Sequence, residues 1–550
     1  MGLYRLLRKR LHTQYVTAAL ATTVFLISYA VLSGNGVSTQ RAVGMCLIYL
    51  FADVTGYAYD MLNALGIVVL VLLWENPFLL SYSGFVFSVM AVIAIGVGAN
   101  VLLEWEHSWK RRQQAGEETI KKTFFSRQKE GILVSFAIQL FTIPLVAYSY
   151  YEIPVYAMLI NLFVLAVVNG LLGLTVLGVI VGMAFLPAGR VLFAPCGWML
   201  DSYRFLCEVS LKIPGAQRIT GKPAHMRIFW YYLGLGVFLL AIYACARRNE
   251  KHKDCRETAD LCVSRRKKRL QGIVFSCFIA FLLLFLLFPQ KKSFEIDFLD
   301  VGQGDGIYLC TGGGTSMFID GGSTDVKQVG KYRILPFLKA KGVSEISYWF
   351  VSHTDTDHVS GLKEVLVSGY RVEYLVFAKA VEKEAKTKEL AELARSHGTK
   401  VLYMQAGDTV RNKRAAMRCL YPKASDKAED VNDLCLVLQF EEGDIRALFG
   451  GDISTDVEEQ LSRREKWDKV LVFKADHHGS RYANAEALLK CIRPEITVAS
   501  AGKDNRYGHP SPDAVQRIKE SGSRFFCTIE GGRIRVRVIE NKLVCETYVK

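Results

Sequence analysis

Two histidines and two aspartates lie within six residues of one polar segment, residues 352–361 (SHTDTDHVSG). The apolar run 346–351 before it predicts a β-strand, so the segment occupies a strand end, where catalytic side chains concentrate. Alternate residues of an extended loop point the same way, and imidazole and carboxylate are the usual ligands of hydrolytic metal centres. The segment therefore predicts a metal site, although a polar, acidic turn would have a similar composition. The four candidate ligands are His353, Asp355, Asp357 and His358.

Further polar motifs stand at the ends of predicted strands in the same half of the chain. The first, residues 300–306, has glycines that allow tight turns, and we expect it to leave Gln303 and Asp305 exposed. Each motif is weak evidence alone, because GGD or HH usually marks a surface loop. Their joint occurrence in order at strand ends favours one composite site. The others are DGG at 320–322, GGD at 450–452, DHHGS at 476–480 and NRYGHP at 505–510, which add the metal-ligand candidates Asp452, His477, His478 and His509.

The elements that must position these residues alternate between strand-like and helical runs. This order predicts a layered α/β domain over residues 294–550. Strands are predicted at 293–300, 306–310, 316–319, 347–351, 434–440, 445–449, 470–473 and 496–499, and helices around 331–341, 382–396, 454–466, 484–491 and 511–520.

The first half of the chain is built differently, from apolar stretches long enough to cross a bilayer. Asp53 interrupts the second stretch, and region 154–193 can be divided in more than one way. Residues 197–213 alternate apolar and charged side chains at helical spacing, which predicts an amphipathic helix on the membrane interface. The nine predicted spans are 13–33, 42–58, 61–80, 82–103, 131–149, 154–170, 171–193, 228–246 and 272–289.

Three basic clusters predict the orientation of these spans. They lie at residues 5–10, 110–129 and 247–269, and positively charged loops stay in the cytoplasm. Four spans separate each cluster from the next, so all three clusters can lie inside. The ninth span then carries the chain out, and the domain 294–550 is expected to be extracytoplasmic.

The net charge of +15 comes entirely from the membrane half, because residues 294–550 contain 38 basic and 38 acidic side chains. The charge is therefore weak evidence for nucleic-acid binding by the soluble domain. The thirteen cysteines show no CxxC pair, which argues against a zinc finger.

The motifs of the second half resemble the metallo-β-lactamase superfamily. The shared features are the Asp-Gly-Gly turn, the His-x-Asp-x-Asp-His segment, the later Gly-Asp and the late histidines. More narrowly, FLDVGQGDG, SHTDTDHVSG, GGD and HHGS resemble the last domain of ComEC-type DNA-uptake channels. In the membrane half, segments 33–42, 60–65, 75–77 and 83–88 are similar to the competence domain of that family.

This resemblance implies a polytopic helical membrane domain, residues 1–289, followed by an αβ/βα sandwich of the metallo-β-lactamase type, residues 294–550. The implied function is uptake of single-stranded DNA through the cell membrane, with an external nuclease acting on the strand left outside, and with other competence proteins as partners. The chain is shorter at its N-terminus than the family pattern. A membrane-tethered hydrolase without a transport role and a truncated, non-functional copy therefore remain alternatives.

The resemblance also implies roles for the site residues. His353 and Asp355 would bind one divalent ion, Asp357 and His358 a second, and Asp452 would bridge the two. His477, His478 or His509 would complete the ligand shells, and Asp357 would orient the attacking hydroxide, with Asp305 and Gln303 as further catalytic candidates. Asp355 stands where zinc hydrolases have histidine, and an oxygen ligand favours Mn²⁺ or Mg²⁺ over Zn²⁺.

Overall fold

The computed structural model describes residues 2–113, 124–251, 259–289, 292–412, 415–428, 430–540 and 542–549. The chain divides into two compact units, Met1–Phe288 and Pro289–Lys550. Parts of the second and third basic clusters, residues 114–123 and 252–258, lie outside the described residues.

The first unit is helical, with one short two-stranded sheet. Its strands, β1 (Glu152–Pro154) and β2 (Gln217–Ile219), pair antiparallel. Its helices are α1 (Gly2–Lys9), α2 (Tyr15–Leu32), α3 (Val37–Thr55), α4 (Met61–Glu75), α5 (Ser83–Ile93), α6 (Asn100–Gln113), α7 (Phe124–Tyr150), α8 (Ala157–Ala184), α9 (Leu186–Lys212), α10 (His225–Lys251) and α11 (Ala259–Leu286).

Five helical segments in the described part of the chain are long and apolar enough to cross a bilayer, which identifies a membrane protein. Each coincides with one of the nine predicted spans. Two shorter apolar helices, Met61–Glu75 and Gly170–Ala184, overlap two more. The count of nine stays a prediction. The five long segments are Tyr15–Leu32, Ser83–Trp109, Lys129–Tyr150, His225–Asn249 and Arg266–Leu286.

The predicted division between residues 170 and 171 is wrong, because α8 runs without a break to Ala184. The chain turns at Phe185 instead, and a proline in the first turn of α9 favours a new helix start there. Close packing at this turn needs glycine: a Cβ on Gly189 would lie 2.5 Å from Gly182 Cα. The predicted amphipathic segment is the second half of α9 rather than a separate helix.

Among its described residues, the second unit contains two sheets and seven α-helices. The helices are α12 (Leu335–Ala340), α13 (Thr356–Val367), α14 (Ala385–Ser396), α15 (Thr455–Arg464), α16 (Glu486–Ile492), α17 (Pro512–Glu520) and α18 (Thr528–Gly531). The strands are β3 (Glu295–Phe298), β4 (Gly306–Cys310), β5 (Ser316–Asp320), β6 (Glu345–Phe350), β7 (Arg371–Ala378), β8 (Lys400–Met404), β9 (Thr409–Asn412), β10 (Ala415–Tyr421), β11 (Val437–Glu442), β12 (Ile445–Phe449), β13 (Val472–Lys474), β14 (Ile496–Ala499), β15 (Arg524–Cys527), β16 (Ile534–Ile539) and β17 (Lys542–Thr547).

These strands form two packed sheets with helices outside, the αβ/βα sandwich that the motifs predict. One sheet has the order β17-β16-β3-β4-β5-β6-β7-β8 and the other β15-β14-β13-β12-β11-β10-β9. Side chains from both sheets, such as Phe298 and Phe449, share the central core. Two outer cores lie beneath the helices, one including Leu362 of α13 and the other Leu461 of α15. Burial of apolar surface on both faces of each sheet holds the layers together.

Each sheet contains a run of parallel strands, β5 to β8 in one and β12 to β15 in the other. Because parallel strands end at the same edge of a sheet, the loops after them are brought together. Five of the six polar motifs occupy these loops, and the first, residues 300–306, connects the antiparallel strands β3 and β4.

The expectation that residues 352–361 form an extended loop is wrong after Asp355, because α13 begins at Thr356. Val359, Leu362 and Leu366 recur at helical spacing and are buried in the outer core. The helix places Asp357 and His358 in its first turn and separates them from Asp355.

Candidate metal centre

His358 is held by its own neighbours in an orientation suited to metal binding. Its Nδ1 lies 3.0 Å from Asp320 Oδ2, and the ring is fully buried. Asp320 also accepts hydrogen bonds from Ser352 N (2.8 Å) and Ser352 Oγ (2.9 Å), which fix the carboxylate. A carboxylate on one ring nitrogen sets the tautomer and directs the other nitrogen towards a ligand. His358 Nε2 lies 3.3 Å from Asp452 Oδ2.

His478 has the same arrangement on the other sheet. Its Nδ1 lies 3.0 Å from Ser500 O, and its Nε2 lies 3.3 Å from Asp452 Oδ2 and 3.6 Å from Asp357 Oδ2. His477 and His478 have positive φ angles of 49° and 55°, which are uncommon for residues with a side chain.

The buried Asn484 braces this strained turn. Its Oδ1 accepts from Asp476 N at 3.0 Å, and its Nδ2 donates to Asp476 O at 3.0 Å. Glu458 in turn accepts a hydrogen bond from Asn484 N at 2.7 Å. The surrounding structure therefore maintains the backbone conformation that aims His478 at the site.

Asp452 lies where these two histidines meet, and its other oxygen faces a lysine. Lys474 Nζ lies 3.4 Å from Asp452 Oδ1 and 2.6 Å from Asp305 Oδ2, and donates to Gly451 O at 2.8 Å. The Lys474 side chain is buried. The motif search missed this residue, although a lysine ending the apolar run 470–473 is an available signal.

The charges of the cluster shift its ionisation in opposite directions. Burial lowers the pKa of His358 and His478, but nearby carboxylates, Asp452 first, outweigh burial and raise the pKa of His478 to about 9 and that of His358 well above its ordinary value. Burial raises the pKa of Asp452 and Asp357, but the histidines hold the pKa of Asp357 at about 2 and that of Asp452 well below its usual range. The carboxylates are therefore ionised and attract cations.

His353 and Asp355 are placed differently from each other. His353 is buried, its ring centroid is 4.0 Å from that of His358, and burial followed by His358 lowers its pKa to about 4. Asp355 is 44% exposed and pairs with Lys386 Nζ at 2.9 Å. Its Oδ2 is 3.9 Å from His353 Nε2. Asp355 therefore lies at the margin of the site.

His477 and His509 lie on the more open side. His477 Nε2 is 3.8 Å from Asp452 Oδ2, and its side chain is 33% exposed. The ring of His509 is 5.6 Å from that of His477 and 6.2 Å from that of His478. Burial, followed by His478, lowers the pKa of His509 to about 4, so its imidazole is neutral near pH 7.

The expected exposure of Gln303 and Asp305 is wrong, since they are 3% and 0% exposed. The second sheet covers their turn: Gln303 Oε1 accepts from Gly502 N at 3.2 Å, which ties the first motif to the loop after β14. Asp305 faces Lys474. Sequence patterns do not indicate this contact, because residues 303 and 502 are far apart in the chain.

The donors fit a divalent metal. Two groups have ligand atoms within 4.8 Å of one another: Asp305, His358, Asp452 and His478 in one, and His353, Asp357 and His358 in the other. Within the described residues, His358 Nε2 and His478 Nε2 are buried without a partner in hydrogen-bond geometry. Buried nitrogens of this kind are costly unless a ligand satisfies them. Asp355, His477 and His509 belong to neither group.

Comparison with known proteins finds competence proteins that are similar to the chain. Residues 1–244 match the sequence model of the Competence family, described as competence protein. The chain is 25% identical over 538 residues to ComE operon protein 3 of Bacillus subtilis (strain 168), covering 94% of this chain and 64% of that protein. It is 24% identical over 553 residues to Recombination protein 2 of Haemophilus influenzae, covering 94% and 63%. The chain is therefore similar to competence proteins, and it spans slightly less than two thirds of these two relatives.

Two solved structures are similar to part of the chain. CmlA, a diiron β-hydroxylase from Streptomyces venezuelae, is 14% identical with a TM-score of 0.32, covering 48% of this chain and 58% of that one. The metallo-β-lactamase fold protein YhfI from Bacillus subtilis is 12% identical with a TM-score of 0.31, covering 44% and 100%. These scores are low, and the fold assignment rests on the strand order and layers described above.

We expect Asp320→Asn to weaken binding of Mn²⁺ by the full-length protein about 10- to 100-fold, the usual effect of losing a carboxylate behind a ligating histidine. The carboxylate uses two oxygens to accept hydrogen bonds from Ser352 and to hold His358 Nδ1. An amide has one accepting oxygen, so it cannot make all of these contacts. Titration calorimetry in detergent measures the affinity. Asp444→Asn, an exposed change in the β11–β12 turn, is the matched control. Unchanged affinity in Asp320→Asn would contradict the role of Asp320.

Proposed function

We propose that this protein acts in DNA uptake, with its helical unit forming part of a path for single-stranded DNA and its second unit acting as a metal-dependent nuclease on the strand left outside. The similarity to competence proteins supports the uptake role. The observation that carries the nuclease role is the pair of buried imidazole nitrogens, His358 Nε2 and His478 Nε2, each 3.3 Å from Asp452 Oδ2.

The residues that would hold a divalent ion are His358, His478, Asp452 and Asp357. Such an ion, when bound, acidifies a water molecule and neutralises charge on a phosphodiester. Half of these donors are carboxylates, which favours Mn²⁺ over Zn²⁺ and leaves Mg²⁺ possible. The predicted second ion would depend on His353, which lies beside His358. Asp357, at the more open side with a 21% exposed side chain, is placed to accept a proton from an attacking water.

The rim of the site supports a nucleic-acid substrate. Tyr507 is 50% exposed and stacks on His509 with ring centroids 5.7 Å apart, and Arg506 lies 4.9 Å from the Tyr507 ring. Asn505 fixes this loop, accepting from His509 N at 2.9 Å and donating to Gly502 O at 2.8 Å. An aromatic ring beside a guanidinium suits a stacked base and its phosphate.

The proposed location of the second unit is outside the cell membrane. The support is the sequence pattern of three basic clusters separated by even numbers of predicted spans. In that orientation the nuclease would meet DNA before the membrane does.

The nuclease proposal predicts that Asp357→Asn lowers Mn²⁺-dependent cleavage of a DNA oligonucleotide by the full-length protein roughly 100-fold or more, since a direct ligand should matter at least as much as the residues behind it. Asp355→Asn is the matched control, two residues away and paired with Lys386. We expect it to retain activity within a few-fold. Equal loss in both variants would contradict the ligand assignment, and cleavage unaffected by Asp357→Asn would refute the proposed centre.

The uptake proposal predicts that deleting the chain abolishes transformation of competent cells while DNA still binds the cell surface. Asp452→Ala alone should mainly stop degradation of the outside strand, because Asp452 belongs to the second unit. Uptake of labelled DNA, scored separately for each strand, measures both effects. Transformation at the normal frequency in the deletion would favour a tethered hydrolase or a non-functional copy.

The proposed orientation predicts that a reporter active only outside the membrane is active when fused after residue 550. The same reporter fused near residue 253, within the third basic cluster, should be inactive. Alkaline phosphatase activity in intact cells, normalised to the amount of fusion protein, is the measurement. The opposite pattern would mean that the span count is wrong by an odd number.

A further inference from the structure

Lys474 is an unusual residue for the centre of a divalent metal site. It ends β13, is 1% exposed, and is among the largest fully buried side chains of the described residues. Its ammonium group contacts Asp305 Oδ2 at 2.6 Å, Asp452 Oδ1 at 3.4 Å and Gly451 O at 2.8 Å. A buried ammonium is stable only when charges and hydrogen bonds surround it in this way.

The lysine limits which oxygens a metal can use. Asp305 already faces a cation at contact distance, and a metal bound to the same oxygen would have to displace Lys474 from a buried position. Asp452 presents Oδ1 to Lys474 and Oδ2 to His358 and His478. The oxygen of Asp452 that remains for metal binding is therefore the one facing the two histidines.

The donors for a second ion are correspondingly few. His353 lies beside His358, but Asp355, its expected partner, pairs with Lys386 at 2.9 Å and is 44% exposed. Asp357 is closer to His478, with its Oδ2 3.6 Å from Nε2. One ion can therefore draw on His358, His478, Asp452 and Asp357. A second would have His353 as its main unshared ligand among the buried histidines, since His477 lies on the more open side with a 33% exposed side chain.

We propose that Lys474 is a built-in cation that takes the place of a second metal, so that the site holds one divalent ion per chain, with Lys474 positioning Asp452. This inference rests on the proposed metal site. It differs from the two-ion arrangement that the sequence resemblance implies. Lys474 is a positioning residue, since it acts through Asp452.

The test is the metal content of the full-length protein purified in detergent, stripped with chelator, reloaded with excess Mn²⁺ and desalted. Elemental analysis should give about one ion per chain. Electron paramagnetic resonance should show the spectrum of isolated Mn²⁺ rather than that of a spin-coupled pair. Two ions per chain, or a coupled spectrum, would overturn the inference while leaving the metal site intact. No retained ion would overturn the proposed metal site itself.

A substitution at Lys474 tests the role of its charge directly. Lys474→Met keeps the length of the side chain but removes its charge, so we expect a second Mn²⁺ to bind and the content to rise towards two. Lys469→Met, at an exposed lysine near the same strand that pairs with Glu495 at 3.8 Å, should stay at one. A folded Lys474→Met protein that still holds one ion would overturn the role given to Lys474. If that variant does not fold, the spectrum of the unaltered protein still decides the count.

Discussion

The second unit is organised around the buried negative charge of Asp452, which must be compensated. A carboxylate taken out of water and left unpaired destabilises a fold by about 3–5 kcal/mol. Here His358, His478 and Lys474 surround it at 3.3–3.4 Å. These three residues come from α13, from the turn after β13 and from the end of β13 itself, so satisfying one carboxylate requires both sheets to be in register.

The sandwich meets this requirement because its strand ends carry the candidate ligands and hydrogen bonds hold the loops behind them. Asp320 ends β5 and holds His358, and Ser500 follows β14 and holds His478. Asn484 fixes the turn that begins at Asp476 and carries His478. Gln303 connects the first loop to the loop after β14. Each contact joins residues remote in sequence, so the site forms only once the sheets have packed. Such preorganisation keeps metal ligands in place before an ion binds.

The two units differ in amino-acid composition, and each composition suits a different environment. The first places apolar helices where a bilayer can replace water, and its excess of basic residues sets an expected orientation. The second has balanced charge and concentrates its chemistry in a small buried cluster. If the second unit is the proposed nuclease, its balanced charge means that it needs local contacts for DNA, and the rim around Tyr507 and Arg506 offers them. The proposed division of labour between transport and cleavage follows this difference.

The local sequence pattern was enough to predict many of the strands and membrane helices of this protein. The strands Gly306–Cys310, Ile445–Phe449 and Ile496–Ala499 have the predicted bounds, because each is a short apolar run between polar turns. Apolar length alone located the five long membrane helices. The prediction missed strands with mixed charge, such as Arg371–Ala378 and Ile534–Ile539. Their exposed faces and ends have the polar composition that is typical of loops.

The sequence by itself determined which residues could bind a metal and that they follow strand ends, because residue type and hydrophobic period are local properties. Only the tertiary structure decided which of them meet. It turned Asp355 outward to Lys386, buried Asp305 under the second sheet and brought Lys474 against Asp452. The reason is physical: burial and charge pairing depend on how two sheets pack, and residues 22 to 169 positions apart in the chain become neighbours only through that packing.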